Sequence, residues 1–323
     1  MKQKTYRTKI HNHIQNHKNR KTRRTKAFTA MNCSPSVKGK TPVQNSCFSS
    51  DVLVHLKESY NKHNEQKIIS SAPSEIWKEL KENLSTCDKE ECWLNEIKDP
   101  LVRKRIDKQI FAPHQPKEWK KNKSAWLSNF DILDVLKQYE ESHKHFKIVG
   151  PTPIDFDSRP TDFGGKCVWD DLCKFSLKRF IDERITKIGI VFNLDKHNQG
   201  GSHWVSMFID LEDNFVFYLD SAGEKIKPEI KVLADRIIKQ ASELPNKKHL
   251  LFYENYPIEH QMGENECGMY SLFFIITMLT GETGALFNNN KRFSNSMQKI
   301  RFFKERRIPD KYMNKYRKIY FNE

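Results

Sequence analysis

The chain has 323 residues, 37% of them hydrophobic and 30% charged, with a formal net charge of +15. That length suits one core of about 200 residues with an added domain or arm. No apolar run reaches about eighteen residues, so no transmembrane helix is expected, and no apolar segment follows the basic N-terminus, so no secretory leader is expected.

The charge is lopsided. Residues 1–50 carry twelve Lys or Arg and no acid, whereas the rest of the chain carries 44 basic and 41 acidic residues. The excess therefore belongs to a tail. Residues 1–48 are rich in His, Lys and Asn, then in Ser, Pro and Gly, a composition that predicts disorder. Such a tail either solubilises the protein or binds nucleic acid or another acidic surface by charge. Its His11, His13 and His17 read as polar tail residues rather than metal ligands. The cysteines number seven. An odd number without secretory context points to a reducing compartment and mostly free thiols.

From Ser49 the pattern becomes helical, over residues 51–60, after Pro73 with Ile76, Trp77, Leu80 and Leu84 on one stripe, and over 99–110. Cys87 and Cys92 lie between these helices. No second close pair completes a zinc site with them, so packing is the expected role. Residues 49–112 thus read as a small helical arm, followed by a linker at 113–122. Residues 126–139 read as an amphipathic helix, with Ser128 and Asp131 as an imperfect capping pair. Residues 150–166, rich in Pro, Asp and Gly, read as a surface loop, and 171–184 as a helix. Residues 188–194, 203–209 and 215–219 are apolar candidate strands. Asp213-Asn214 supplies a turn that makes the last two a hairpin. A helix at 228–240, a short strand at 250–253 and an apolar, buried helix at 267–279 follow, the last stopped by Gly281 and Gly284. Residues 291–323 hold eleven basic and three acidic residues and read as a terminal helix with a solvated face, or as a patch for phosphate or an acidic partner.

Four side chains in the C-terminal third share a natural use. Cys267 stands where a glycine-containing loop becomes the apolar helix, a place where helix dipole and free N–H groups favour a thiolate. His203 opens a strand after Gly200-Gly201, where an imidazole can exchange protons with that thiol. Asp220 closes the next strand, at the same end of the hairpin, and can hold the imidazole tautomer. Gln261 offers an amide donor that, with the Cys267 N–H, can face a developing oxyanion. Taken singly, each has a bland reading: a buried apolar cysteine, a strand-end histidine, a turn-forming aspartate, a polar loop residue. Trp204 either walls the imidazole or packs in the core.

The sequences His203-Trp204, YLDSAG at 218–223, and Gln261 six residues before Cys267-Gly268 resemble those of the Ulp1-type cysteine proteases that process SUMO and related proteins. They are similar, too, to the adenovirus protease and to the polyprotein-processing proteases of African swine fever virus and related large DNA viruses. LSNFDILDVL at 127–136 and CDKEECW at 87–93 extend the resemblance over roughly residues 75–280. It implies an α+β, papain-like or Ulp1-type core in residues 113–323, with a central mixed sheet flanked by helices and the N-terminal arm beside it. It also implies His203, Asp220 and Cys267 as a triad with Gln261 as oxyanion donor. Where the swine fever virus protease carries Asn, this chain has Asp220, as Ulp1-type enzymes commonly do, and either can accept the imidazole N–H. The implied activity is a thiol endopeptidase with a thioester intermediate, without cofactor or metal, in virions and host cytoplasm. The implied substrate is a structural polyprotein cut after Gly-Gly, with Trp204 and the 150–166 loop as channel walls. A SUMO or ubiquitin-like isopeptidase and a nucleic-acid-binding virion protein remain alternatives. A YopJ-type acyltransferase is disfavoured, since those resemble His, Glu, Cys in order.

Overall fold

The structure, a computed structural model, describes residues 27–283 and 292–323. His11, His13, His17, Gly284 and most of the basic tail lie outside the described residues.

Three helices build the arm: α1 (Ser50–His63), α2 (Pro73–Asn83) and α3 (Pro100–Ile110), with a 3-10 segment at Glu90–Glu96 between the last two. Local chemistry starts each one. The Ser49 hydroxyl accepts the Val52 N–H, Pro73 opens α2, and the Asp99 carboxylate accepts the N–H groups of Leu101 and Val102. Leu53, Leu56 and Tyr60 of α1 face Ile76 and Leu80 of α2, around a fully buried Trp93. The rings of Phe28, Phe48 and Trp77 pack on that indole.

The tail does not extend to residue 48. Met31, Cys47 and Phe48 are buried in the same cluster as the helices, because the apolar residues of this basic stretch fill the space around Trp93. The expectation of free thiols is also corrected. Cys33 pairs with Cys47, Cys87 with Cys92, and Cys167 with Cys173, leaving Cys267 as the free cysteine. Each pair is near in sequence and is brought to bridging range by a local turn, which a count of cysteines does not reveal.

The larger unit is a five-stranded mixed sheet in the order β1 (Phe146–Pro153), β2 (Lys187–Asn193), β3 (Trp204–Asp210), β4 (Phe215–Leu219), β5 (Leu251–Glu254). Pairs β1–β2 and β4–β5 are parallel, and β2–β3 and β3–β4 antiparallel. The β3–β4 hairpin forms as expected, with Asn214 in the left-handed conformation the turn needs. β1 was not expected as a strand. Its register shifts between Val149 and Thr152, around Gly150-Pro151, and such proline-bearing segments are tolerated only at a sheet edge or bulge.

Alternation along the strands sends two sets of side chains to two faces. Phe208, Phe217 and Leu219 face α8 (Cys267–Thr280), together with α4 (Asn129–Ser142), α9 (Ser296–Lys304) and α10 (Asp310–Tyr320). Val205, Met207, Val216 and Tyr218 face α5 (Asp170–Cys173), α6 (Leu177–Asp182) and α7 (Pro228–Glu243). The single helix expected over 171–184 is thus two, since the first ends at its C-cap Lys174 and Ser176 caps the second on the Arg179 N–H. Ser128 and Asp131 form a complete capping box at the start of α4. Gly189 lets α8 lie close on the sheet: a Cβ there would sit 3.0 Å from Ile275 and 3.1 Å from Phe146. The terminal helices are packed rather than solvated on their inner faces, with Phe302, Phe303, Tyr316, Arg317 and Tyr320 buried.

Candidate active site

β3, β4 and the start of α8 meet at one end of the sheet, and three of the four predicted residues meet there. His203 Nε2 lies 2.6 Å from Asp220 Oδ1, and Cys267 lies close enough to the same imidazole to help raise its pKa. The hairpin register delivers the first contact, because Ser206 pairs with Leu219 and so places both strand ends together. Asp220 is 1% exposed and is fixed by Asn255. The Asp220 N–H donates to Asn255 Oδ1 at 2.9 Å, and Asn255 Nδ2 donates to the Asp220 carbonyl at 2.7 Å. Asp220 Oδ1 accepts the Ala222 N–H as well, so the turn-forming reading and the imidazole-holding reading hold together.

Burial alone would push the His203 imidazole down. Its hydrogen bonds to Asp220 and Cys267, and the charges on both, outweigh burial and hold it up to about 10. The ring is thus kept as an imidazolium through neutral pH.

Cys267 is the first residue of α8. Glu266 precedes it without making a side-chain capping bond, so first-turn N–H groups are left for an incoming anion. Gly268 lets the helix start close to its neighbours, since a Cβ there would lie 3.2 Å from Leu127 and 3.3 Å from Trp204. Trp204 is buried and donates Nε1–H to the Leu127 carbonyl at 3.0 Å, so it packs in the core and lines the adjoining groove at once.

Gln261 is anchored next to the row rather than in it. Its Oε1 accepts the Ser221 hydroxyl at 2.8 Å, and its Nε2 donates to the Gly263 carbonyl at 2.7 Å. One Nε2 proton remains for another acceptor.

A groove of about 890 Å³ lies beside the strand end that carries His203, reaching Gly200, Gly201 and Trp204. Gly200, Gly201, Trp204, Trp126, Pro151 and Phe163 are among its walls. Trp126, expected inside a helix, precedes α4 and donates Nε1–H to Asn265 Oδ1, across to the loop before Cys267. Asn255, Ser221 and Trp126 were not legible as site residues; only Ser221 stands within the quoted motif. Among the described residues, Glu91, Asp107 and His114 form a group of possible metal ligands, in the arm and linker and not around Cys267.

A profile of the Ulp1 protease family, C-terminal catalytic domain, matches residues 184–315. A protein of Acanthamoeba polyphaga mimivirus named as a thiol protease is 30% identical over 276 residues, covering 79% of this chain and 86% of that one. The chain belongs to the Ulp1-type cysteine proteases. A cysteine protease of African swine fever virus is 25% identical over 232 residues, 67% of this chain and 81% of that one. The crystal structure of the African swine fever virus protease superposes with a TM-score of 0.59 at 19% identity, covering 92% of this chain and 97% of that one. The α+β core with its central mixed sheet, and the helical region before it, are therefore those of a Ulp1-type cysteine protease.

Proposed function

We propose that the protein is a viral endopeptidase that cuts structural polyproteins after Gly-Gly, with Cys267 as nucleophile, His203 as acid and base, Asp220 as orienter and Gln261 as oxyanion donor. The Asp220–His203 hydrogen bond, with Cys267 beside the imidazole at an uncapped helix start, carries this reading. The Cys267 thiolate attacks the scissile carbonyl carbon. The C–S bond forms, and the carbonyl electron pair moves to an oxygen facing the Cys267 N–H and the free Gln261 proton. As the oxyanion collapses the C–N bond breaks, and the leaving amine takes the His203 proton. Water, deprotonated by His203, then attacks the thioester, the C–S bond breaks, and the thiolate returns.

Trp204 and Trp126 beside Gly200-Gly201 favour residues without side chains at the cut. Relatives are named as SUMO-1 cysteine proteases in African swine fever virus isolates, so a ubiquitin-like substrate is the competing reading. The purified protein, given Gly-Gly-X peptides, an extended polyprotein fragment and a ubiquitin-like isopeptide conjugate, should cut the first two after Gly-Gly. Cleavage of the conjugate alone would replace the polyprotein with a ubiquitin-like partner.

A further inference from the structure

The loop from Gln261 to Cys267 is held from outside, by the C-terminal segment of the chain. The N–H groups of Met262 and Gly263 converge on Asp310 Oδ2, at 3.1 and 3.2 Å. Successive amides closing on one anion form a nest, which fixes the backbone conformation that makes it. The other oxygen, Oδ1, accepts the Tyr270 hydroxyl of α8 at 2.7 Å, and Arg307 lies 3.4 Å from the carboxylate. Three further bonds hold the ends of the loop. Arg307 Nε donates to the His260 carbonyl at 3.0 Å, the Ile308 N–H to His260 Nδ1 at 3.1 Å, and Arg317 Nη2 to the Asn265 carbonyl at 3.3 Å.

The link to the chemistry runs through one residue. Gly263 gives its N–H to Asp310 and its carbonyl to Gln261 Nε2. A shift of Gly263 therefore turns the Gln261 amide, whose oxygen is pinned to Ser221. We propose that Asp310 is a positioning residue of the protease: by fixing the backbone of Met262 and Gly263 it aims the Gln261 amide at the developing oxyanion. The inference rests on the role given to Gln261 above. A plainer role exists for Asp310, since it opens α10 and an acid in a first turn stabilises a helix. That role affects stability only. It does not couple Asp310 to Gln261.

The test measures kcat and KM on a Gly-Gly-X peptide for Asp310→Ala, Asp310→Asn, Gln261→Ala and the Asp310→Ala/Gln261→Ala double variant. Thermal midpoints and the rate of Cys267 alkylation by iodoacetamide are recorded for each. Asp310→Ala should lower kcat by about 10- to 100-fold with KM within about threefold, as for a displaced catalytic group. Alkylation should stay at the wild-type rate, because the Asp220–His203–Cys267 row is untouched. The double variant should be no slower than Gln261→Ala, since both changes remove one interaction. Asp310→Asn should fall between, its amide oxygen still accepting an N–H, and it carries the test with its own Gln261→Ala partner if Asp310→Ala does not fold. Wild-type kcat in both Asp310 variants beside a slow Gln261→Ala, or additive losses in the double variant, overturns the positioning role alone. Wild-type kcat in Gln261→Ala overturns the oxyanion reading along with it.

Discussion

The arm and the protease core are closed by different means. The arm packs its apolar residues around one indole, Trp93, and holds two of the three disulfides, Cys33–Cys47 and Cys87–Cys92, the third, Cys167–Cys173, lying in the core. The core closes two apolar layers on the two faces of its sheet and places the free thiol at the sheet's end. Between them, amide side chains make most of the side-chain hydrogen bonds among the described residues, with Lys89 Nζ reaching the Glu323 carbonyl as well. Asn32 and Asn322 exchange hydrogen bonds, Asn322 Nδ2 reaches the Ala112 carbonyl, and Gln138 Nε2 reaches the carbonyls of Lys108 and Phe111. Directional bonds fix an orientation without merging two apolar cores, so damage to one unit need not spread to the other. A narrow connection to the site does exist. Phe321, beside Asn322, packs on Trp119, and Arg317 lies over that indole while holding Asn265.

The sharpest separation is expected from His203→Ala. On the proposed mechanism it removes both the base for the thiol and the acid for the amine, so kcat should fall by about 10³ or more, with the arm's melting unchanged. Peptide cleavage and thermal melts on the same sample report both. The reverse experiment strikes the arm. The buried Glu90 carboxylate accepts the Cys47 N–H at 2.8 Å and Trp77 Nε1–H at 2.6 Å, and Glu90→Ala strands both donors at about 1–3 kcal/mol each. Amide exchange should rise across residues 46–97 while kcat on a short peptide stays within about twofold. A parallel loss of kcat would break the comparison and make arm and core one unit.

Two smaller effects depend on pH. Because the imidazolium of His203 persists up to about 10, the alkaline limb of kcat/KM should lie there. Asp220→Asn keeps an acceptor but loses the charge, so activity at neutral pH should fall modestly while the limb moves down toward the ordinary histidine value of about 6.5. An unmoved limb would take Asp220 out of the electrostatics. The same shift makes His203 a stability contributor whose effect is complete below about 6.5 and lost as pH rises through about 10. His260 has the opposite sign. Burial pushes it down to about 4, with Arg307 acting in the same direction. Its contribution is complete above about 6.5 and is lost as pH falls toward 4. Thermal midpoints across that window should drop more steeply in the wild type than in His260→Gln, which keeps an acceptor for the Ile308 N–H.

Strands β2 to β4 were legible because they are runs of apolar β-branched and aromatic residues, and β3 and β4 are joined by a short turn. β1 was hidden by Gly150-Pro151 and Pro153, which read as loop. The four proposed site residues were legible because each stands within a local motif of the sequence, His203, Asp220 and Cys267 at element boundaries and Gln261 in the loop between β5 and α8. Their supports were not. Asn255 lies 35 residues from Asp220, and Asp310 lies 47 from Gly263, and neither has a periodicity or spacing that announces its partner. The buried Arg317 was obscured by its setting, since eleven basic residues in 291–323 read as a solvated face.

The central claim is that Cys267, activated by His203, is the nucleophile of a Gly-Gly-directed protease. A peptide ending in Gly-Gly-vinyl sulfone, followed by intact mass and peptide mapping, tests it most directly. A single adduct on Cys267, absent in Cys267→Ala and far slower in His203→Ala, is the predicted result. An adduct on another residue, or labelling of His203→Ala at the wild-type rate, would contradict it.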